Sequence, residues 1–239
     1  MTHRESGPRI GLLGGTFNPI HLGHLRAAQE VYEALGLAKI LFMPSRTPPH
    51  KDATERDRIV SAEGRLAWVE QAIAGVDHFE IDRSEIEREG PSYLVDTLIA
   101  YHDRNPGQPP PVFIVGQDAF AEMGDWRAPS EIFALTDLAV MTRPPGQLEK
   151  LEQRIPEAVI GSFEFDPDGK RARHREAGTL IELVSITALD ISSSRIRKIC
   201  RDAGSIRFLV PESIRSAIEE SGEYGPRPSS PGTGGSSIR

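Results

Sequence analysis

Two histidines, His21 and His24, close the segment Gly14-Gly15-Thr16-Phe17-Asn18-Pro19-Ile20-His21-Leu22-Gly23-His24. At a helix start their spacing puts both on one face. The glycines beside them let a ligand approach the backbone, and the free N–H groups of a helix start favour an anion. Both imidazoles could therefore donate to one polyphosphate. For an isolated pair, one ring capping and the other packing is the plainer account, and two imidazoles without a third ligand make a poor zinc site. The complete spacing Gly-Gly-Thr-Phe-x-Pro-x-His-x-Gly-His is far more specific than its parts, and it favours the phosphate.

A second anion site is suggested by Asp190-Ile191-Ser192-Ser193-Ser194-Arg195-Ile196-Arg197-Lys198. One serine here would be an ordinary helix N-cap. That account does not explain three serines, nor Arg195, Arg197 and Lys198 in first turns whose dipole disfavours positive charge. An anion bridging the hydroxyls, the helix N–H groups and an arginine would reverse the penalty. A third cluster, Arg46-Thr47-Pro48-Pro49-His50-Lys51, offers cations on a stiff turn, and a solvated loop explains it equally well.

These segments need a scaffold that puts them at the ends of strands. The apolar run at residues 9–13 enters the glycine pair, a helical pattern runs from Leu22 to a stop at Gly36, and residues 39–43 form a second apolar run. Strand, helix, strand in this order implies a parallel βαβ unit. Further strands are expected at 79–81, 112–115, 138–141 and 179–186. Helices are expected at 57–73, at 93–103 with Ser92 as N-cap, in short pieces over 119–135, from Ser193 onward, and at 212–220. Most of the strands are apolar without a period of two. That pattern predicts an α/β fold: a doubly wound open parallel sheet, helices on both faces, ligands at the carboxyl ends of the strands. Residues 1–225 are expected to form a single domain. The Pro-, Gly- and Ser-rich stretch 226–239 holds too little apolar surface to repay ordering and is expected to be a disordered tail. The basic run Lys170-Arg171-Ala172-Arg173-His174-Arg175 reads as a solvated loop.

Composition narrows the partners. With 38% apolar residues in 239 the chain can bury a core, and its one cysteine, Cys200, excludes an intrachain disulfide and reads as a packing residue. The 28 basic against 35 acidic residues give a net charge of −7, which repels nucleic acid and anionic membranes at long range. No run approaches the roughly 20 apolar residues of a membrane span, and the first nine residues hold no apolar leader. A cytoplasmic location is expected, with no nucleic-acid or membrane partner; homo-oligomerisation stays open.

The two signature segments resemble the ATP-binding motifs of the nucleotidyltransferase superfamily that carries a His-x-Gly-His motif on a Rossmann-like domain. Within it, residues 9–224 resemble bacterial nicotinate-nucleotide adenylyltransferase. Pro48-Pro49-His50-Lys51, Pro91-Ser92-Tyr93, Asp96-Thr97-Leu98, Val115-Gly116-Gln117-Asp118, Trp126, Arg143-Pro144 and Leu209-Val210-Pro211-Glu212 fall in the expected order. The resemblance implies that His21, His24 and Arg197 serve the transfer. It implies that Gly14, Gly15, Thr16, Phe17, Gly23, Gly116, Asp118, Ile191, Ser193 and Ser194 hold ATP. Asn18, Arg46, Lys51, Ser92, Tyr93, Thr97, Trp126 and Arg143 would face the acceptor, nicotinate mononucleotide, with Trp126 stacking on the pyridine ring. Mg²⁺ would accompany ATP, and no protein-held metal site is implied. Leu94 stands where many members carry threonine, which removes a hydroxyl that could meet the nicotinate carboxylate. Alternatives that keep the motifs are adenylyl transfer to nicotinamide mononucleotide or phosphopantetheine, and a non-catalytic ATP-binding module.

Overall fold

The computed structural model describes residues 7–48, 59–142 and 150–225. The first strand, β1 (Ile10–Gly15), leads through a loop into α1 (Leu22–Leu35). Gly36 ends that helix in the left-handed region (φ 59°) that its lack of a Cβ permits. The chain then forms β2 (Lys39–Pro44), α2 (Ala62–Ile73), β3 (Phe79–Ile81), α3 (Ser84–Glu87) and α4 (Leu94–Arg104). After β4 (Val112–Gly116) come α5 (Gln117–Ala121), a 3₁₀ turn (Met123–Asp125), α6 (Pro129–Leu135) and β5 (Asp137–Thr142). The remainder is a 3₁₀ turn (Leu151–Gln153), α7 (Glu157–Ile160), β6 (Phe163–Phe165), β7 (Arg171–His174), β8 (Leu180–Ser185), α8 (Ser193–Arg201) and α9 (Glu212–Ser221).

The strands form one sheet in the order β3-β2-β1-β4-β5-β8-β7-β6. Alternate residues of β1 face opposite sides. Leu13 joins a core with α1, α2, α8 and α9, and Leu12 joins a second core with α4, α5, α6 and α7. The doubly wound α/β fold expected from the apolar strands is therefore present, with the order reversing between β1 and β4. At that reversal helices leave the sheet on opposite sides, so the carboxyl ends of β1 and β4 diverge into a crevice. The crevice is where Gly14, Gly15 and Gly116 stand.

Three expectations are corrected. The sheet is not wholly parallel, because β7 runs antiparallel to β8 and β6 antiparallel to β7. The basic run around Lys170 is consequently no loop: residues 171–174 are strand β7, in which Ala172 is buried and Arg171 and Arg173 are exposed. A strand that buries one alanine leaves no apolar run to read. Ser92 does not cap α4 either; Tyr93 occupies that position. The expected start of a helix at residue 57 lies outside the described residues, and the described helix α2 starts at Ala62, where the Ser61 hydroxyl accepts the Gly64 N–H at 3.1 Å. Residues 226–239 also lie outside them.

Candidate active site

Two helix N-termini meet over the turn that follows β1. The N-cap of α1 is His21, and its backbone N–H donates to Nδ1 of His24 at 3.2 Å. This bond fixes the tautomer of a neutral His24 ring: with Nδ1 accepting, the proton sits on Nε2. The two imidazoles stack at 3.6 Å between centroids and 22° between planes, and the buried Phe17 ring meets His24 edge-on at 5.2 Å. Gly23 fits tightly in this packing: a Cβ there would lie 3.0 Å from His21 Nδ1, so the ring would have to shift to admit one. Gly15 is held similarly, since its Cβ would lie 3.0 Å from the Phe17 ring.

Helix α8 arrives from the far end of the chain. Ser193 donates its hydroxyl to the Pro19 carbonyl at 2.8 Å, and Arg197 donates from Nη1 to the Asn18 carbonyl at 2.7 Å and from Nη2 to Ser194 Oγ at 3.2 Å. Ser192, rather than Ser193, is the N-cap, accepting the Arg195 N–H. Arg195 pairs with Asp190, and Lys198 with Asp202. Of the three cations in this segment, Arg197 is the one turned onto the histidine-bearing turn. Ile191 passes close by, its carbonyl 3.6 Å from where a Gly23 Cβ would be.

Across the crevice, Gly116 ends β4 and precedes α5, whose first turn carries the exposed Asp118. Trp126 is half-buried with its ring edge-on to Phe113 at 6.4 Å. The segments around Arg46 and Ser92 are zipped together: the Arg46 N–H donates to Ser92 Oγ at 3.1 Å and the Ser92 N–H to the Thr47 carbonyl at 3.0 Å. The exposed Arg46 side chain donates to the Ile86 carbonyl at 2.6 Å. Arg127, which sequence reasoning missed, lies over the Tyr93 ring at 4.9 Å and pairs with Asp96. Lys51 and Arg143 lie outside the described residues.

Two expected acceptor contacts point inward instead. Thr97 is fully buried, and its hydroxyl donates to Glu85 at 2.8 Å while accepting from Arg88 at 3.0 Å. Burial pushes the Glu85 carboxyl above its ordinary range, against the hydrogen bonds from Thr97 and Ser92. Asn18 is 3% exposed, and its Oδ1 accepts the Val60 N–H at 3.2 Å and the Tyr224 hydroxyl at 2.6 Å. Burial raises the Tyr224 phenol pKa despite the nearby Arg197 and Arg65, so the phenol remains a donor. These residues hold the site from behind. Ser45 was also missed: its N–H donates to the Gly15 carbonyl, and its buried hydroxyl has no hydrogen-bond partner among the described residues.

The cytidylyltransferase-like family model matches residues 12–199. A protein of Trichlorobacter lovleyi named "Probable nicotinate-nucleotide adenylyltransferase" is 44% identical over 91% of this chain and 100% of its own length. The chain belongs to the cytidylyltransferase-like family, in its nicotinate-nucleotide adenylyltransferase branch. Proteins of the same name from Geobacter sulfurreducens and Pseudomonas putida are 40% and 35% identical over 90% and 92% of this chain, and 98% and 96% of their own lengths. The fold agrees as well. The nicotinic acid mononucleotide adenylyltransferase of Plasmodium falciparum superposes with a TM-score of 0.68 at 15% identity, covering 91% of this chain and 98% of that one. The resemblance drawn from the two motifs is thus confirmed at the level of the family, whose members are nucleotidyltransferases.

Proposed function

We propose that this nucleotidyltransferase moves the adenylyl group of ATP onto nicotinate mononucleotide, giving deamido-NAD and pyrophosphate. The observation that carries the reading is the convergence of the His21–His24 pair at the start of α1 with Arg197 and Ser194 at the start of α8, both over the Asn18–Pro19 turn. Two helix N-termini, an imidazole N–H and a guanidinium around one point suit a polyphosphate. In the reaction a phosphate oxygen of the acceptor forms a bond to the α-phosphorus. The bond from that phosphorus to the β-phosphate oxygen breaks, and pyrophosphate leaves with the electron pair.

No protein nucleophile is needed, so the residues act by position and charge. His24 Nε2–H and Arg197 would stabilise charge on the phosphate oxygens, and Ser194 steadies the arginine. Mg²⁺, bound to ATP as part of the substrate, supplies further charge neutralisation, as such ions keep mainly phosphate and water ligands. On the acceptor side Trp126 offers a ring and Arg46 a cation, while the Arg46 and Ser92 N–H groups are spent in joining their two segments, so other backbone N–H groups would meet the carboxylate. Leu94 supplies no hydroxyl for a carboxylate, so backbone groups would carry the preference for acid over amide. Among the described residues no helix is long and apolar enough to cross a membrane, and we place the reaction in the cytoplasm.

The test is pyrophosphate release from ATP and Mg²⁺ with nicotinate mononucleotide, nicotinamide mononucleotide and phosphopantetheine offered separately. Preference for the first supports the proposal. Preference for either of the others moves the protein to another acceptor, and tight ATP binding with no pyrophosphate from any of them would make it a binding module.

A further inference from the structure

Arg65 takes no part in the chemistry above, yet among the described residues it is the largest fully buried side chain, 1% exposed. It is carried by helix α2, which also buries Val69 and Ile73 in the core. Its guanidinium donates to three backbone carbonyls: from Nε to Val60 at 2.9 Å, from Nη1 to Thr16 at 2.7 Å and from Nη2 to Arg46 at 3.2 Å. Thr16 belongs to the phosphate turn and Arg46 to the acceptor-side segment. Among the described residues no carboxylate forms an ion pair with it, and burial lowers its pKa from the ordinary arginine value against the opposing pull of the nearby Tyr224 and Glu63. The group stays charged, because arginine is effectively never neutral in proteins.

A buried cation without a directly paired carboxylate is an expensive way to fill space, and an apolar side chain would do it at lower cost. The bonds it makes also continue toward the site. The Val60 N–H donates to Asn18 Oδ1, and the Asn18 carbonyl accepts from Arg197. We propose that Arg65 is a positioning residue that fixes the ATP-side turn at Thr16–Asn18 relative to the acceptor-side segment at Ser45–Arg46, and lends its positive charge to the binding of two anionic substrates. The inference rests on the adenylyl-transfer reading for its substrates, and on the three hydrogen bonds alone for its geometry. Only the fork of an arginine reaches three carbonyls at once; a lysine ammonium keeps the charge without that span.

The test compares Arg65→Lys and Arg65→Met with the wild type, after unfolding curves establish the folded fraction of each. Calorimetric titration with a non-hydrolysable ATP analogue and with the acceptor nucleotide is run beside steady-state kinetics. Both variants should lose kcat by about 10²-fold, the scale of a misplacement near 1 Å, and both substrates should bind more weakly. Lysine should retain about 10-fold more affinity than methionine for each anion, since it keeps the charge. Deuterium uptake in peptides spanning residues 16–20 and 45–48 should rise together in both variants. Wild-type kcat and affinities with only a lower Tm would reduce Arg65 to a packing residue, and weakening toward a single substrate would refute the coupling. Equal affinities of the lysine and methionine variants would refute the contribution of charge. Failure of the wild type to use nicotinate mononucleotide would overturn the acceptor assignment separately, because deuterium uptake reads the positioning without turnover.

Discussion

His24 joins two jobs in one ring, and its two nitrogens allow them to be separated. Nδ1 accepts the His21 N–H at the start of α1, while Nε2 carries the proton assigned to the transfer. His24→Ala removes both. Losing the capping acceptor costs about 1 kcal/mol, in the range of N-cap deletions, offset in part by a few tenths for the higher helix propensity of alanine. In a protein of this size each 1 kcal/mol moves Tm by about 2–4 °C. Losing a preorganised donor to the reacting phosphate lowers kcat by about 10²–10³. His24→Asn places its Oδ1 near the position of Nδ1 and has nothing at Nε2; it should keep Tm within about 1 °C and lose the same rate. His24→Gln reaches the Nε2 position with an amide N–H and leaves the cap empty, so it should recover about 10-fold of the rate relative to alanine and unfold as early as alanine does. Pyrophosphate release at saturating ATP, paired with thermal unfolding of each purified variant, reads both effects. An asparagine variant that turns over at the wild-type rate would show that the Nε2 proton is not used. If asparagine and alanine unfolded at the same temperature, the capping bond would contribute nothing.

Other expectations follow from the same geometry. Gly23→Ala should leave the helix intact or slightly firmer, since alanine is favoured by up to about 1 kcal/mol, yet slow turnover by about 10-fold because the new methyl meets His21 at 3.0 Å; an unchanged kcat would mean that the position of His21 is not critical. Glu85 has its carboxyl pKa raised by burial, so the folded protein holds that proton more tightly than the unfolded chain. Its stability is then fullest below the unfolded value of about 4.3 and declines as pH rises above it. Glu85→Gln cannot ionise, so its Tm at pH 7 should compare more favourably with the wild type than at pH 4, and a difference moving the other way would contradict the assignment. Tyr224→Phe removes the donor to Asn18 Oδ1 and should cost about 0.5–1.5 kcal/mol in denaturant melts, the net worth of one hydrogen bond, because that acceptor keeps the Val60 N–H. Truncation after Gly225 should change neither melting nor turnover, and a large loss of either would give the last 14 residues a role.

Local signals in the chain were enough for the strand–glycine–helix start at residues 10–24, for the serine-led start of α8 and for the doubly wound sheet. Glycine conformations, helix caps and apolar runs act over a few residues, so the sequence displays them directly. The antiparallel β6–β7 pair escaped because its strands are short and polar on one side, although the Pro167-Asp168-Gly169 turn that joins them is a local hairpin signal. The site divides along the same line. His21, His24, Gly23 and Arg197 belong to motifs that can be read by eye, but that Arg197 reaches the Asn18 carbonyl, 179 positions away, is a fact of chain topology. Thr97 and Asn18 were expected to face substrate because the motif names the residue and not its direction; packing turned both inward. Arg65 left no trace at all, since its partners are backbone carbonyls, which every residue possesses and no sequence distinguishes. Side-chain identity and spacing determined which groups could do this chemistry, and only the folded chain decided which of them face the crevice and which hold it in shape, because burial and direction depend on contacts between segments far apart in sequence.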